Sequence, residues 1–62
     1  MGVLYTYEHP GEDGGTWYAA AYPMGATRYY RTPQAREDAV TAYVSAIAAT
    51  GGSVAVVPTG KG

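Results

Sequence analysis

The sequence TPQAREDAVTAYVSAIAATG, residues 32–51, contains the one clear helical pattern in this chain. Thr32 is a favourable N-cap, and Pro33 suits the first helical position because a missing N–H costs nothing there. Gly51 can adopt the left-handed conformation that ends many helices. Apolar residues recur at helical spacing between these signals: Val40, Tyr43, Val44 and Ile47. This single apolar stripe predicts a helix that packs one side against a core.

Short β-prone segments surround the helix. Alternation and β-branched or aromatic residues predict strands at residues 3–8, 16–22, 26–31 and 53–57, with glycine- and proline-rich turns between the first three. The first three strands can form an antiparallel meander, and the helix can return the chain so that the last strand lies parallel to the first. The predicted fold is therefore α+β, in the order β-β-β-α-β, with one helix on one face of a four-stranded sheet and strand order 3-2-1-4.

The length of 62 residues predicts one small domain over residues 1–57, followed by a flexible C-terminal tail at residues 58–62. The chain has no cysteine, so neither a disulfide nor a thiolate zinc site can stabilise it. A domain this small is marginally stable alone, which favours oligomerisation as extra stabilisation.

Charge and composition restrict the setting. The net charge is −1, so the bulk charge does not predict a polyanion-binding protein. The sequence has no long apolar run and no signal peptide, so we expect a cytoplasmic protein that does not bind membranes. Phenylalanine is absent, and most of the residues used have GC-rich codons. This composition indicates a high-GC bacterium or its phage, which would place the protein in the host cytoplasm.

Two segments resemble a known family. GGTWYAAAYP at residues 14–23 and RTPQAREDAV at residues 31–40 are similar to the glycine turn, aromatic strand and threonine-capped helix of HicB-type antitoxins. The resemblance implies a partial ribonuclease-H-like β-β-β-α-β fold without the nuclease carboxylates, and an antitoxin-like regulatory role.

Few residues in the sequence are suited to catalysis or cofactor binding. His9 is the only histidine, and no cysteine is present to act as a nucleophile or metal ligand. Glu37 and Asp38 are adjacent on a helix and diverge, so they do not form a catalytic pair. Glu12 and Asp13 lie in a turn-rich loop and are interpreted as solvated carboxylates rather than metal ligands. We therefore expect no enzyme activity, no cofactor and no metal.

Aromatic residues exceed what one small helix can cover. Seven tyrosines and one tryptophan must share the sheet with few large aliphatic side chains. One aromatic set must lie on the uncovered face, where tyrosine and tryptophan favour interfaces. The preferred partner-binding set is Tyr18, Tyr22, Tyr30 and Val57. The opposite strand phase, with Trp17 outward, remains open.

These observations predict a non-enzymatic protein-interaction module: a small homodimeric accessory or regulatory protein that also binds another protein. The alternative is a nucleic-acid-binding or antitoxin-like regulator. In that case the contact residues would be an aromatic and basic ridge before the helix, where rings stack on bases and cations meet phosphates. The ridge consists of Arg28, Tyr29, Tyr30 and Arg31.

Overall fold

A computed structural model describes the backbone of residues 2–61 and the side chains of residues 2–59. The elements are β1 (Gly2–Pro10), β2 (Thr16–Ala21), β3 (Thr27–Tyr30), α1 (Pro33–Ala49) and β4 (Val54–Lys61). They form one four-stranded sheet in the order β3-β2-β1-β4, with α1 against β2, β3 and β4. The predicted α+β fold and strand order are confirmed.

The strand register is set by β1, which pairs with a strand on each side. β1 runs antiparallel to β2, with Thr6 opposite Ala20. It runs parallel to β4, with Leu4 opposite Val56. β3 joins the outer side of β2 in an antiparallel pair. Since paired residues point to the same face, this register decides which side chains share each face of the sheet.

Local signals set the ends of α1 as the sequence indicates. The Thr32 side chain accepts a hydrogen bond from the Ala35 N–H at 3.1 Å, and Pro33 is the first helical residue. At the other end, Gly51 has a φ of 86°, in the left-handed region that favours glycine. The Thr50 hydroxyl also donates to the Ile47 carbonyl at 2.8 Å, which supplies a partner for one of the last helical carbonyls.

The fully buried core is very small. Among the described residues, only Leu4, Ala19 and Ala20 are fully buried. The predicted stripe of α1, including Val40 and Ile47, is half-buried, and no residue of α1 is fully buried. Burial of apolar area is the main stabilising contribution to folding, so Leu4 provides an unusually large share of the stability of this domain.

The last strand extends further than predicted. The residues from 58 onward were expected to form a flexible tail, but β4 continues to Lys61, and Pro58 pairs with Thr6. The Thr59 hydroxyl donates a hydrogen bond to the Thr6 carbonyl at 3.0 Å and helps to hold this end against β1. Proline at position 58 is compatible with a strand because it lies at the edge of the sheet. Gly62 lies outside the described residues.

No helix in the described part of the chain has the length and apolar character needed to cross a membrane.

Replacing Leu4 with Ala should lower the free energy of unfolding by about 2–5 kcal/mol, because it leaves a cavity under α1. A domain of this size has little stability to lose, so part of the population should unfold at room temperature. Chemical denaturation followed by circular dichroism measures this. Val3→Ala is the matched control, since Val3 is 39% exposed and should cost much less. Equal losses for the two variants would contradict the assignment of the core.

Candidate interaction surface

The helix covers one face of the sheet and leaves the other uncovered. Leu4 and Ala20 lie under α1, and Glu8 forms an ion pair with Arg36 of α1 at 3.1 Å. Alternation along each strand sends the neighbouring residues to the opposite side. We call that side the open face; it consists of Val3, Tyr5, Tyr7, His9, Trp17, Ala19, Ala21, Thr27, Tyr29, Ala55 and Val57.

The tyrosines predicted to be uncovered lie on the helix side instead. The Tyr22 ring meets Tyr43 of α1 edge-on at 4.8 Å between centroids, and its hydroxyl lies 3.2 Å from that of Tyr30. The Arg36 guanidinium lies over the Tyr18 ring at 5.5 Å. Placing Tyr18, Tyr22 and Tyr30 on the uncovered face was therefore wrong.

The pKa of Tyr22 reflects its covered position. Burial under α1, followed by the hydrogen bond with Tyr30, raises this pKa to about 12. Both causes favour the neutral phenol. The stabilisation from the neutral Tyr22 phenol is therefore fully present below pH 10, the ordinary pKa of tyrosine. It is lost as the pH rises through about 12.

Of the predicted partner-binding set, Val57 does lie on the open face, where it is 38% exposed. Tyr5 lies directly opposite Val57 in the register, whereas Tyr29 lies on the same face at the other edge of the sheet, on β3. Both are nearly half exposed, at 45% and 49%. These exposed side chains make the open face a candidate interaction surface.

The centre of the open face is closed by two tyrosines. Tyr7 on β1 and Tyr29 on β3 both lie opposite Ala19 on β2, and Ala19 is fully buried between them. The Tyr29 hydroxyl and the burial of Tyr7 raise the pKa of Tyr7. The small alanine lets two large rings cover the sheet where no helix does.

One end of the open face carries a hairpin-end cluster of aromatic and charged side chains: His9, Asp13, Trp17, Tyr29 and Arg31. The Tyr29 ring centroid lies 6.1 Å from His9 and 6.4 Å from Trp17. The Arg31 guanidinium stacks over the Trp17 ring at 4.2 Å and forms an ion pair with Asp13 at 2.6 Å. These side chains, except Tyr29, line a surface groove of about 470 Å³ together with Pro10 and Glu12.

Two interactions hold Asp13 in the cluster. Its carboxylate accepts a hydrogen bond from the Gly15 N–H at 3.0 Å and pairs with Arg31 on the other oxygen. The Gly15 N–H, followed by the Arg31 guanidinium, lowers the pKa of Asp13. The loop between β1 and β2 is thereby fastened to the residue that follows β3.

The aromatic and basic ridge is divided between the two sides of the sheet. Arg28 and Tyr30 line a groove on the helix side with Ala39 and Tyr43. Tyr29 and Arg31 instead contact the open-face residue Trp17. A strand sends alternate residues to opposite faces, so these four side chains do not form one continuous contact surface.

The two ion pairs are features that the sequence did not reveal. Asp13 and Arg31 are 18 positions apart, and Glu8 and Arg36 are 28 positions apart. Arg36 also donates to the Tyr7 carbonyl at 3.2 Å, so it links α1 to β1 at two points. Contacts over such separations have no periodic signal in the sequence and follow only from the tertiary arrangement of the strands, loops and helix.

The described residues contain no group of three or more histidine, aspartate or glutamate side chains placed to hold a metal ion. Comparison with family models, with curated proteins and with solved structures found no match. The resemblance to HicB-type antitoxins therefore stays a prediction.

The Asp13 carboxyl should titrate below the ordinary value of about 3.9 in a pH series of NMR spectra. Because the folded-state pKa is lowered, Asp13 stabilises the fold above pH 4 or so and loses this effect as the pH falls through the folded pKa. Arg31→Leu should raise the pKa only part of the way, since the Gly15 N–H remains. Arg28→Leu is the control and should leave it unchanged; an equal response to both variants would contradict the Asp13–Arg31 pair.

Proposed function

We propose that this chain is a non-enzymatic protein-interaction module that works as a homodimer, as a small accessory or regulatory protein of a phage or high-GC bacterium. The observation that carries the proposal is the uncovered aromatic sheet face, with Tyr5, Tyr29 and Val57 exposed. Large exposed apolar surfaces are unusual on monomeric proteins and mark interaction sites.

The size of the core supports self-association. In the described part of the chain, the helix has no fully buried residue and the core consists of one leucine and two alanines, so little apolar area is buried. Small domains often gain the missing stability from a second subunit. Two-fold pairing buries an equivalent patch on both copies and so adds the missing burial to each.

The distribution of charge supports a protein partner for the aromatic surface. Apart from the end with His9, the open face has no charged side chain between Val3 and Val57 across the sheet. Protein interfaces have cores that are depleted of charge and enriched in tyrosine and tryptophan. A homodimer would present this surface to another protein.

Nucleic-acid binding by an antitoxin-like regulator is the second candidate. The arrangement that favours it is Arg31 stacked over Trp17 beside Tyr29, because single-stranded nucleic acids bind to exposed rings next to cations. It ranks second because the net charge is −1 and Arg31 is already paired with Asp13. Affinity for nucleic acid depends mainly on phosphate contacts, and the cations for them are few.

Sedimentation equilibrium should show a dimer at high micromolar concentration, and a mobility-shift assay should show no binding to single-stranded DNA or RNA near physiological salt. If binding did occur, replacing Arg28 and Arg31 together with Ala should weaken it and flatten its salt dependence. A monomer at high micromolar concentration contradicts the proposed homodimer. Sub-micromolar, salt-sensitive binding that the double variant abolishes would place the second candidate first.

A further inference from the structure

The outer edge of β4 offers backbone hydrogen-bonding groups to a partner. Within the described residues, β4 pairs with β1 alone. The Gly2 N–H donates to the Ser53 carbonyl, so the backbone groups of residue 53 point toward β1. Alternation then directs the N–H and C=O of Val54 and Val56 outward, toward the free edge. Pro58 is also directed outward, where its missing N–H breaks no bond to β1.

Two valine side chains of β4 are partly uncovered, one on each face of the sheet. Val56, on the helix side, is 44% exposed, and Val57, on the open face, is 38% exposed. Beside Val56 a groove of about 220 Å³ lies between the sheet and α1, with Thr6 and Val40 in its walls. A partner that stacks on the open face covers only Val57. A strand added to the edge can cover both valines.

We propose that β4 pairs antiparallel with β4 of a second copy, about a two-fold axis at Ala55. The inference rests on the proposed homodimer and assigns its interface. Val54 of one copy lies opposite Val56 of the other, and each donates and accepts a backbone hydrogen bond. The Val54 side chain of each copy then covers the exposed Val56 of the other on the helix side.

The backbone chemistry selects this register. With the axis at Ala55, the outward N–H and C=O groups of Val54 and Val56 are all paired. A shift that places Val56 on the axis sets Val54 opposite Pro58, which has no N–H to donate. Ala55 becomes a directly opposed, non-hydrogen-bonded pair, in which the Cα atoms approach to about 4.5 Å. Its small side chain suits that approach.

Several features indicate a second copy rather than a foreign strand. The segment from Val54 to Thr59 has no charged residue, so self-pairing brings no like charges together. The opposite edge, β3, is only four residues long and carries Arg28, which disfavours head-to-tail growth of β4 on β3. Antiparallel pairing of β4 with itself closes after two copies.

The pairing joins the two sheets edge to edge. A two-fold axis perpendicular to the sheet keeps both helices on one side and both open faces on the other. A single added strand buries less than the roughly 1,200 Å² of standard interfaces, so we expect dissociation in the micromolar range.

Single-cysteine variants test the register, because the chain contains no other cysteine. Under mild oxidation, Ala55→Cys should form a covalent dimer at least about tenfold faster than the controls, since its two copies lie within disulfide range. The first control is Val56→Cys, whose two copies are more than about 7 Å apart in this register. The second is Tyr5→Cys on the open face.

Amide hydrogen exchange of the unmodified protein tests the same edge without a substitution. The amides of Val54 and Val56 should exchange slowly at high concentration and rapidly on dilution below the dissociation constant. The amide of Val57, directed toward β1, should show a much smaller dependence on concentration.

The outcomes separate this inference from the proposed homodimer. A dimer that cross-links through Tyr5→Cys overturns the edge pairing but leaves the proposed homodimer intact. Preferential cross-linking of Val56→Cys overturns the assigned register. A monomer at every concentration, with fast exchange at Val54 and Val56, overturns both and leaves the edge free for a strand of another protein.

Discussion

The contact between Tyr43 of α1 and Tyr22, the residue after β2, determines which face of the sheet is covered. The two rings meet edge-on at 4.8 Å, and the Tyr22 hydroxyl reaches Tyr30 on the next strand. Edge-to-face packing of aromatic rings adds stabilisation beyond the area that they bury. At the other end of the helix, Arg36 pairs with Glu8 and covers Tyr18. Once α1 is held in this orientation, strand alternation determines which side chains of the sheet lie under the helix and which lie on the open face.

The open face follows from the same constraint. Because the single helix covers one face, side chains of the open face can be shielded from water only by one another or by a partner. At the centre, Tyr7 and Tyr29 bury Ala19. At the hairpin end, Trp17 is covered by Arg31, and Gly11 allows close approach of the loop, since a Cβ there would lie 3.3 Å from the indole. Toward β4 the described side chains provide no comparable cover, and Val56 and Val57 remain exposed on opposite sides. This is why the proposed pairing between copies uses that edge.

The sequence predicted the fold because the signals for it are local. Three local signals fix the order of the elements: the N-cap at Thr32, the helix end at Gly51 and the glycine-rich turns. Only a few sheet topologies are compatible with this order. The phase of the sheet was not predictable, because the predicted second strand, residues 16–22, carries Trp17 and two alanines on one side against Tyr18, Ala20 and Tyr22 on the other. Both sides suit a core, and only the contacts with α1 distinguish them. The end of β4 was missed because Pro58 indicates the end of a strand unless it lies on a free edge.

A nuclear Overhauser spectrum of the aromatic protons reports which rings lie against α1. We expect cross-peaks between the Tyr43 and Tyr22 rings, whose centroids are 4.8 Å apart. We also expect the Trp17 indole to show cross-peaks to Tyr29 and Arg31 and none to the side chains of α1. Cross-peaks between Trp17 and Tyr43, with none between Tyr22 and Tyr43, would mean that α1 covers the opposite face of the sheet.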